Sequence, residues 1–350
     1  MSTSGLKTEE TVKSMGALPN ERGAVIEVRD LVKLYGETRA VDGITFEVAQ
    51  GELFGFLGPN GAGKTTTIRI LSTLLRPTAG TARVAGLDVA AHPHEVRKRL
   101  GVAMQSVSLD AFSTGRETLE LAGRLHRMPS TEVKRRADEL LELMGLTVAA
   151  KKLTGAYSGG MKRRLDLASA LMHRPEVLIL DEPTEGLDPQ SRVALWEELE
   201  RISKAGTTML LTTHYMEEAD RLCSRLAIID NGKIVVDGPP GELKRSIGAD
   251  TVVLQLEGAS ASDDHQRSEV ARLLEGVVES SAITAHPSGV ALAVPNASAA
   301  IPAVLRRLEG NGLQIAGLQM SQPSLDDVFM KYTGRSIREE AADQPIIMGS

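Results

Sequence analysis

The chain has 350 residues, more than one compact domain usually holds, and its 42% hydrophobic content can fill a substantial core. A net charge of −6 with both signs interspersed argues against a broad basic face for nucleic acid, and 3% aromatics argue against recognition by base stacking. The single cysteine, Cys223, excludes an internal disulfide and suits a reducing compartment, and no run reaches the ~18 apolar residues of a membrane span, so action at a membrane requires docking on another chain.

Residues 1–23 are polar, with no apolar core behind a basic start. They are expected to be a disordered arm rather than a signal peptide. Strands are predicted at Val25–Val28 and Ile44–Val48, with Asp42-Gly43 as the turn between them, making an antiparallel piece. Leu53–Leu57 is an apolar run that fits a buried strand.

Directly after it, Gly58–Thr66 reads GPNGAGKTT. Gly58, Gly63, Lys64 and Thr65 fill the fixed positions of a phosphate-binding loop, and Asn60, Gly61 and Thr66 complete the cradle. Glycines let backbone N–H groups curl around phosphates, and the following helix adds partial positive charge at its N-terminus. Lys64 is expected to reach the β- and γ-phosphates and the Thr65 hydroxyl to ligate Mg²⁺. The helix would bury Ile68, Leu71 and Leu75.

Residues 95–156 read as a largely helical insert. Within it, Val102-Ala103-Met104 also fits a strand, after which Gln105 is able to touch Mg²⁺ and an attacking water. Tyr157–Met161 reads YSGGM at a helix start. Ser158, Gly159 and Gly160 there fit a second anion site, and equally an ordinary serine cap. The helix would place Met161, Leu165, Ala168 and Met172 on one face and Lys162, Arg163 and Arg164 elsewhere. Val177–Glu182 reads VLILDE, a buried strand delivering two carboxylates to its C-terminal end, where open α/β sheets bind ligands. Asp181 suits the Mg²⁺ shell and Glu182 the general base, although a solvated acidic turn has the same pattern. Thr208–Leu211 is another buried strand, and His214 follows close behind it.

The order of phosphate loop, glutamine, Ser-Gly-Gly, acidic pair, Gly186-Leu187-Asp188 and histidine resembles the ATP-binding cassette family over about 24–245. The resemblance implies ATP and Mg²⁺ as cofactors. It implies that Tyr35 stacks on adenine, that Gln105 senses Mg²⁺ and contacts a transmembrane partner, and that Ser158, Gly159 and Gly160 cover the γ-phosphate of a second copy. Asp188 would communicate across that homodimer, and His214 would be the switch histidine. Tyr157 and Met161 depart from the usual Leu and Gln, and Glu185 stands where a small residue is common. YSGGMKRRLDLA and the later Pro323–Phe329 resemble a drug-exporter branch related to daunorubicin-resistance ATPases. A member would bind no nucleic acid, sit on the cytoplasmic face of the cell membrane through a separate permease, and export an amphipathic drug, antibiotic or lipid. Alternatives are a cassette ATPase of translation or DNA repair, against which one cassette and one cysteine speak, and an importer ATPase.

Composition shifts at Asp237–Gly241. Strands are predicted at Thr251–Leu256, Val277–Ala282, Val290–Val294 and Leu313–Met320, and helices at Glu269–Leu274 and Ala299–Leu308. That βαββαβ order matches a small ferredoxin-like α+β domain over 250–333, ending in a helix at Ser324–Tyr332 and a flexible tail at 334–350. The expected fold class is thus α/β, a phosphate-loop NTPase core with a parallel sheet, an N-terminal antiparallel β subdomain, a helical insert and the C-terminal α+β domain.

Overall fold

A computed structural model describes residues 23–256, 264–279, 282–286, 289–311, 313 and 315–334. The N-terminal arm and most of the expected tail lie outside the described residues. Two compact units divide at Pro240 and Gly241. No helix among the described residues is long and apolar enough to cross a membrane.

The first unit holds two sheets. One is antiparallel, ordered β2 (Thr38–Ala49), β1 (Ala24–Tyr35), β4 (Ala79–Val84), β5 (Leu87–Asp88). The expected turn at Asp42-Gly43 is instead a bulge inside β2. Leu31 pairs with Ile44 and Val32 with Asp42, so Gly43 is skipped at φ 73°. The hairpin turns at Gly36, leaving Tyr35 opposite Thr38. β4 is short and mostly exposed and β5 is two half-buried residues, and alternation did not announce them.

The second sheet runs β6 (Leu100–Ala103), β7 (Val177–Asp181), β8 (Thr208–Thr213), β3 (Leu53–Leu57), β9 (Arg225–Asp230), β10 (Lys233–Gly238). Its strands are parallel except β10. The register aligns Ala103 with Leu180, Asp181 with Thr212 and Leu57 with Thr213. Gln105, Glu182, His214 and the phosphate loop therefore all leave the same edge. The expected helical insert is interrupted at its start. Glu95 lies in the short helix α2 (Pro93–Arg99), and β6 then joins the sheet with Leu100, Gly101 and Ala103 buried. The helical part proper is α3 (Gly115–Leu125) and α4 (Ser130–Leu143), leading to α5 (Gly159–Ala170). A reciprocal capping box of Thr114 and Glu117 starts α3. Phe46, Phe54 and Phe56 join the two sheets in one core, with ring centroids 4.8–5.6 Å apart.

The second unit opens on α8 (Pro240–Ile247). Its sheet is β12 (Ile283–His286), β13 (Gly289–Val294), β11 (Asp250–Leu256), β14 (Ile315–Ser321), all antiparallel, with α9 (Asp264–Leu273) and α10 (Ala297–Glu309) as crossovers. This is the ferredoxin-like order. Among the described residues of the expected strand at Val277–Ala282, none is in a strand. Val277 and Val278 both donate to Leu274 O in a turn around Gly276, at φ 81°. Val278 is buried under the helix end, which imitates strand alternation. A capping box of Ser324 and Asp327 starts α11 (Leu325–Thr333).

Candidate functional site

Between β3 and α1 (Lys64–Leu71) the phosphate loop wraps on itself. Gly63 caps the helix at φ 105°, and a Cβ there would come within 2.4 Å of Ala40 O, so only glycine fits. The first turn of α1 carries no acidic residue, leaving its N–H groups open to an anion. Ile68, Ile70 and Leu71 are buried beneath, and Leu75 packs partly buried just past the helix.

Lys64 is 4% exposed. Its Nζ donates to Gly58 O at 2.7 Å and Pro59 O at 2.9 Å, and lies 3.1 Å from Glu182 Oε1. Burial lowers its pKa, opposed by the charges of Glu182 and Asp181. Glu182 Oε2 is 3.2 Å from His214 Nδ1 but without hydrogen-bond geometry, so the carboxylate pairs with the lysine and lies beside the histidine. Burial pushes the Glu182 pKa up, but His214 and Lys64 outweigh it and hold the carboxyl below its ordinary range. The backbone of Glu182 is left-handed, at φ 46°, unusual for a side chain of this kind. Asp181 is fully buried. Its Oδ1 accepts from Thr212 Oγ1 at 2.6 Å and Thr65 Oγ1 at 3.3 Å, while Oδ2 is buried with no protein partner. Burial raises its pKa against the pull of the Thr212 and Thr65 hydroxyls.

Gln105 is exposed beyond β6, and its Nε2 donates to Glu185 Oε2. The Glu185 carboxylate therefore holds the glutamine. His214 stands at the end of β8, its ring 4.1 Å from that of Tyr215. Arg192 lies over the Tyr215 ring at 4.3 Å. Tyr35 is 47% exposed, with the Lys33 ammonium 5.4 Å from its ring centre, and stands apart from the catalytic cluster at its hairpin tip.

Ser158 caps α5, its hydroxyl accepting from Met161 N at 3.3 Å. Asp188 caps α6 (Pro189–Lys204) by accepting from Ser191 N. The two helix starts touch, because a Cβ at Gly160 would meet Ser191 Oγ at 2.6 Å. Among the described residues, no hydrogen bond joins Ser158, Gly159, Gly160 or Asp188 to the phosphate loop of their own chain. Tyr157, in place of the usual leucine, is buried and donates its hydroxyl to Ala149 O at 2.7 Å, with Gly115 leaving room for the ring.

Arg163 was expected off the apolar face of α5, yet it is 4% exposed. Its guanidinium donates to Pro183 O at 2.7 Å, to Asp181 O at 3.0 Å and to Met104 O. It thereby joins the Ser-Gly-Gly helix to the strand ends bearing Gln105, Asp181 and Glu182. Helical phase carried a signal that was missed, since Gly160, Arg163, Leu167 and Ala170 form one buried stripe. Arg163 also lies 3.4 Å from Asp166, whose pKa burial raises to about 6. A second unanticipated group is Glu218, buried in α7 (Met216–Leu222), which accepts from Thr184 Oγ1 at 2.8 Å and Trp196 Nε1 at 2.9 Å.

Taken together, the sheet edge offers backbone donors and a lysine for phosphates, a buried free carboxylate oxygen for a metal shell, and a carboxylate held for water activation. The site residues fit a Mg²⁺–nucleotide complex, because Asp181 Oδ2 lacks a protein partner beside the Thr65 hydroxyl.

Residues 41–185 match the model of the ABC transporter family, and residues 238–333 match the ATP-binding protein DrrA1-3-like, C-terminal domain. The daunorubicin resistance ATP-binding protein DrrA2 of Streptomyces coeruleorubidus is 43% identical over 322 residues, 92% of this chain and 99% of its own. The Nod factor export ATP-binding protein I of Ralstonia nicotianae is 40% identical over 318 residues, covering 90% and 95%. The linearmycin resistance ATP-binding protein LnrL of Bacillus subtilis is 35% identical over 323 residues, covering 90% and 100%. Among solved structures, an ATP-binding subunit of an ABC transporter superposes with a TM-score of 0.58 at 31% identity, over 63% of this chain and 92% of that one.

Proposed function

This chain belongs to the ABC transporter family as an ATP-hydrolysing exporter subunit, and on that premise we propose how its residues divide the work and in what setting they act. The observation that carries the reading is the buried pair of Lys64 and Glu182, with His214 3.2 Å from the carboxylate and the free oxygen of Asp181 beside it. In our reading, the loop of Gly58, Asn60, Gly61, Gly63 and Thr66 binds the phosphate chain by backbone donors, and Lys64 turns from Glu182 to the β- and γ-phosphates. Tyr35 stacks on adenine. Thr65, Asp181 and Gln105 would hold Mg²⁺, which would neutralise charge on the phosphate oxygens.

Glu182 accepts a proton from the attacking water, and His214 fixes the carboxylate in line with the γ-phosphate. Two chains related by a two-fold axis each close the other's nucleotide. Ser158, Gly159 and Gly160 supply donors in trans, and Asp188 meets its counterpart. Ser158 and Gly159 are exposed and, among the described residues, make no hydrogen bond to the phosphate loop of their own chain, which supports that role. ATP closes the dimer and hydrolysis releases it.

The dimer drives a separate permease and is held by it at the cytoplasmic face of the membrane. The cargo is an amphipathic drug, antibiotic or lipid. Relatives named for daunorubicin and linearmycin resistance and for Nod factor export support this class. The test is affinity purification from detergent-solubilised membranes, then ATPase and vesicle transport assays of an amphipathic fluorescent drug. A co-purifying permease and ATP-driven transport that Lys64→Ala abolishes are expected. Full ATPase in Lys64→Ala overturns the site, and transport absent from the reconstituted complex overturns the cargo class.

A further inference from the structure

We infer that Thr212 is a positioning residue that sets the geometry of both catalytic carboxylates. The inference rests on the reading of Asp181 and Glu182 above. Thr212 is fully buried near the end of β8, directly across the ladder from Asp181. Neighbouring side chains on a strand face opposite ways, so Thr212 turns toward the acidic pair while Thr213 caps the chain at Tyr215, accepting from its N–H at 3.0 Å.

One hydroxyl does two things. It donates to Asp181 Oδ1 at 2.6 Å and accepts from the Glu182 backbone N–H at 3.1 Å. The Glu182 N–H also reaches Thr212 O at 3.1 Å, so both polar atoms of this residue grip the left-handed turn at Glu182.

The consequence for Asp181 is selection between its two oxygens. The torsion of a carboxyl group is broad and two-fold, so the side chain alone does not hold one orientation. Thr212 makes the shorter of the two hydrogen bonds to Oδ1, the other coming from Thr65 at 3.3 Å, and Oδ2 is left buried and unpartnered. For Glu182, the hydroxyl helps hold a backbone conformation that a glutamate rarely adopts. Loss of the hydroxyl therefore loosens the metal oxygen and the base together, while Lys64 keeps its contacts to the loop carbonyls of Gly58 and Pro59.

The test uses the full chain with Thr212→Val, which keeps the branched shape, and Thr212→Ser, which keeps the hydroxyl. A positioning hydrogen bond of this kind predicts a fall in kcat of about 10–100-fold for Thr212→Val. A rise in the Mg²⁺ concentration for half-maximal rate is also expected, with ATP affinity in EDTA unchanged. Thr212→Ser should recover kcat to within about threefold of wild type. Should Thr212→Val fail to fold, Thr212→Ala is compared with Thr212→Ser, and the same gap in kcat is expected. Equal kcat for hydroxyl-bearing and hydroxyl-free variants overturns the proposal, as does a serine variant as slow as valine. Glu182→Gln run alongside separates the cases. If it hydrolyses ATP at the wild-type rate, the reading of the acidic pair has failed; if it is slow and Thr212→Val is fast, only the role of Thr212 has.

Discussion

Glu182→Gln exchanges the charge at the centre of the site while keeping its shape. The side chain is 6% exposed and lies between Lys64 Nζ at 3.1 Å and His214 Nδ1 at 3.2 Å. A glutamine in the same rotamer turns its carbonyl oxygen to the ammonium and its amide to the imidazole nitrogen, which accepts when unprotonated. The fold loses one charge-assisted contact, costing about 1–2 kcal/mol. Part of that is recovered, because a desolvated carboxylate is no longer buried. Lys64 is now held less tightly by its own chain, so ATP affinity should be unchanged or up to about tenfold tighter. Loss of a positioned base slows hydrolysis by about 10²–10⁴-fold, or about 2.7–5.4 kcal/mol of barrier. Single-turnover phosphate release with enzyme in excess measures that step, and size-exclusion chromatography in Mg-ATP should show a persistent dimer. Phosphate release within about twofold of wild type would refute the assignment of Glu182 as base.

Arg163→Met leaves Met104 O, Asp181 O and Pro183 O without their donor and should cost about 2–4 kcal/mol in chemical denaturation. Arg163→Lys should recover only part of this, since one ammonium does not span three carbonyls, and full recovery would contradict the bridging role. His173 stacks on His126 with ring centres 3.6 Å apart, and burial, helped by that neighbour, lowers its pKa to about 4. The unfolded chain takes up this proton near pH 6.5 and the folded chain resists it. Stability should therefore fall by about 1–2 kcal/mol as pH drops from about 6.5 toward 4, after allowing for partial exposure. His173→Gln should flatten that slope, and an unchanged slope would exclude this histidine as the source. A chain ending at Gly238 should fold and bind ATP with unaltered affinity by calorimetry; a folded product without nucleotide binding would show that the second unit is needed for the site.

The parts of the site that could be read in advance are those written into consecutive residues. The phosphate loop, the VLILDE strand and the serine-capped α5 each carry their geometry within about ten positions, because local backbone demands dictate them. What escaped depends on pairing between distant segments. Thr212 follows the predicted Thr208–Leu211 strand with no local mark of its own, and only the register sets it opposite Asp181. Arg163 resembled its half-buried basic neighbours Lys162 and Arg164, and only its shared stripe with Gly160 and Leu167 marked it as interior. Gly43 and Val278 misled for the opposite reason: a bulge glycine and a buried turn valine copy the local signature of other structures. The ferredoxin-like order of the second unit was legible because the runs at Thr251–Leu256 and Val290–Val294 and the two helices are separate and patterned, even though one expected strand fell on a turn.

The Arg163 cradle changes what a local lesion means in this protein. In the proposed dimer, the surface a chain lends to its partner begins five residues before the arginine that ties down its own strand ends. Damage to that cradle is therefore inherited by two nucleotides at once, one belonging to each subunit. A single defective copy in a mixed population would impair sites it does not own, and such alleles should act dominantly even where half of the chains are intact. Substitutions at Tyr35, on its exposed hairpin, carry no such reach and should remain recessive.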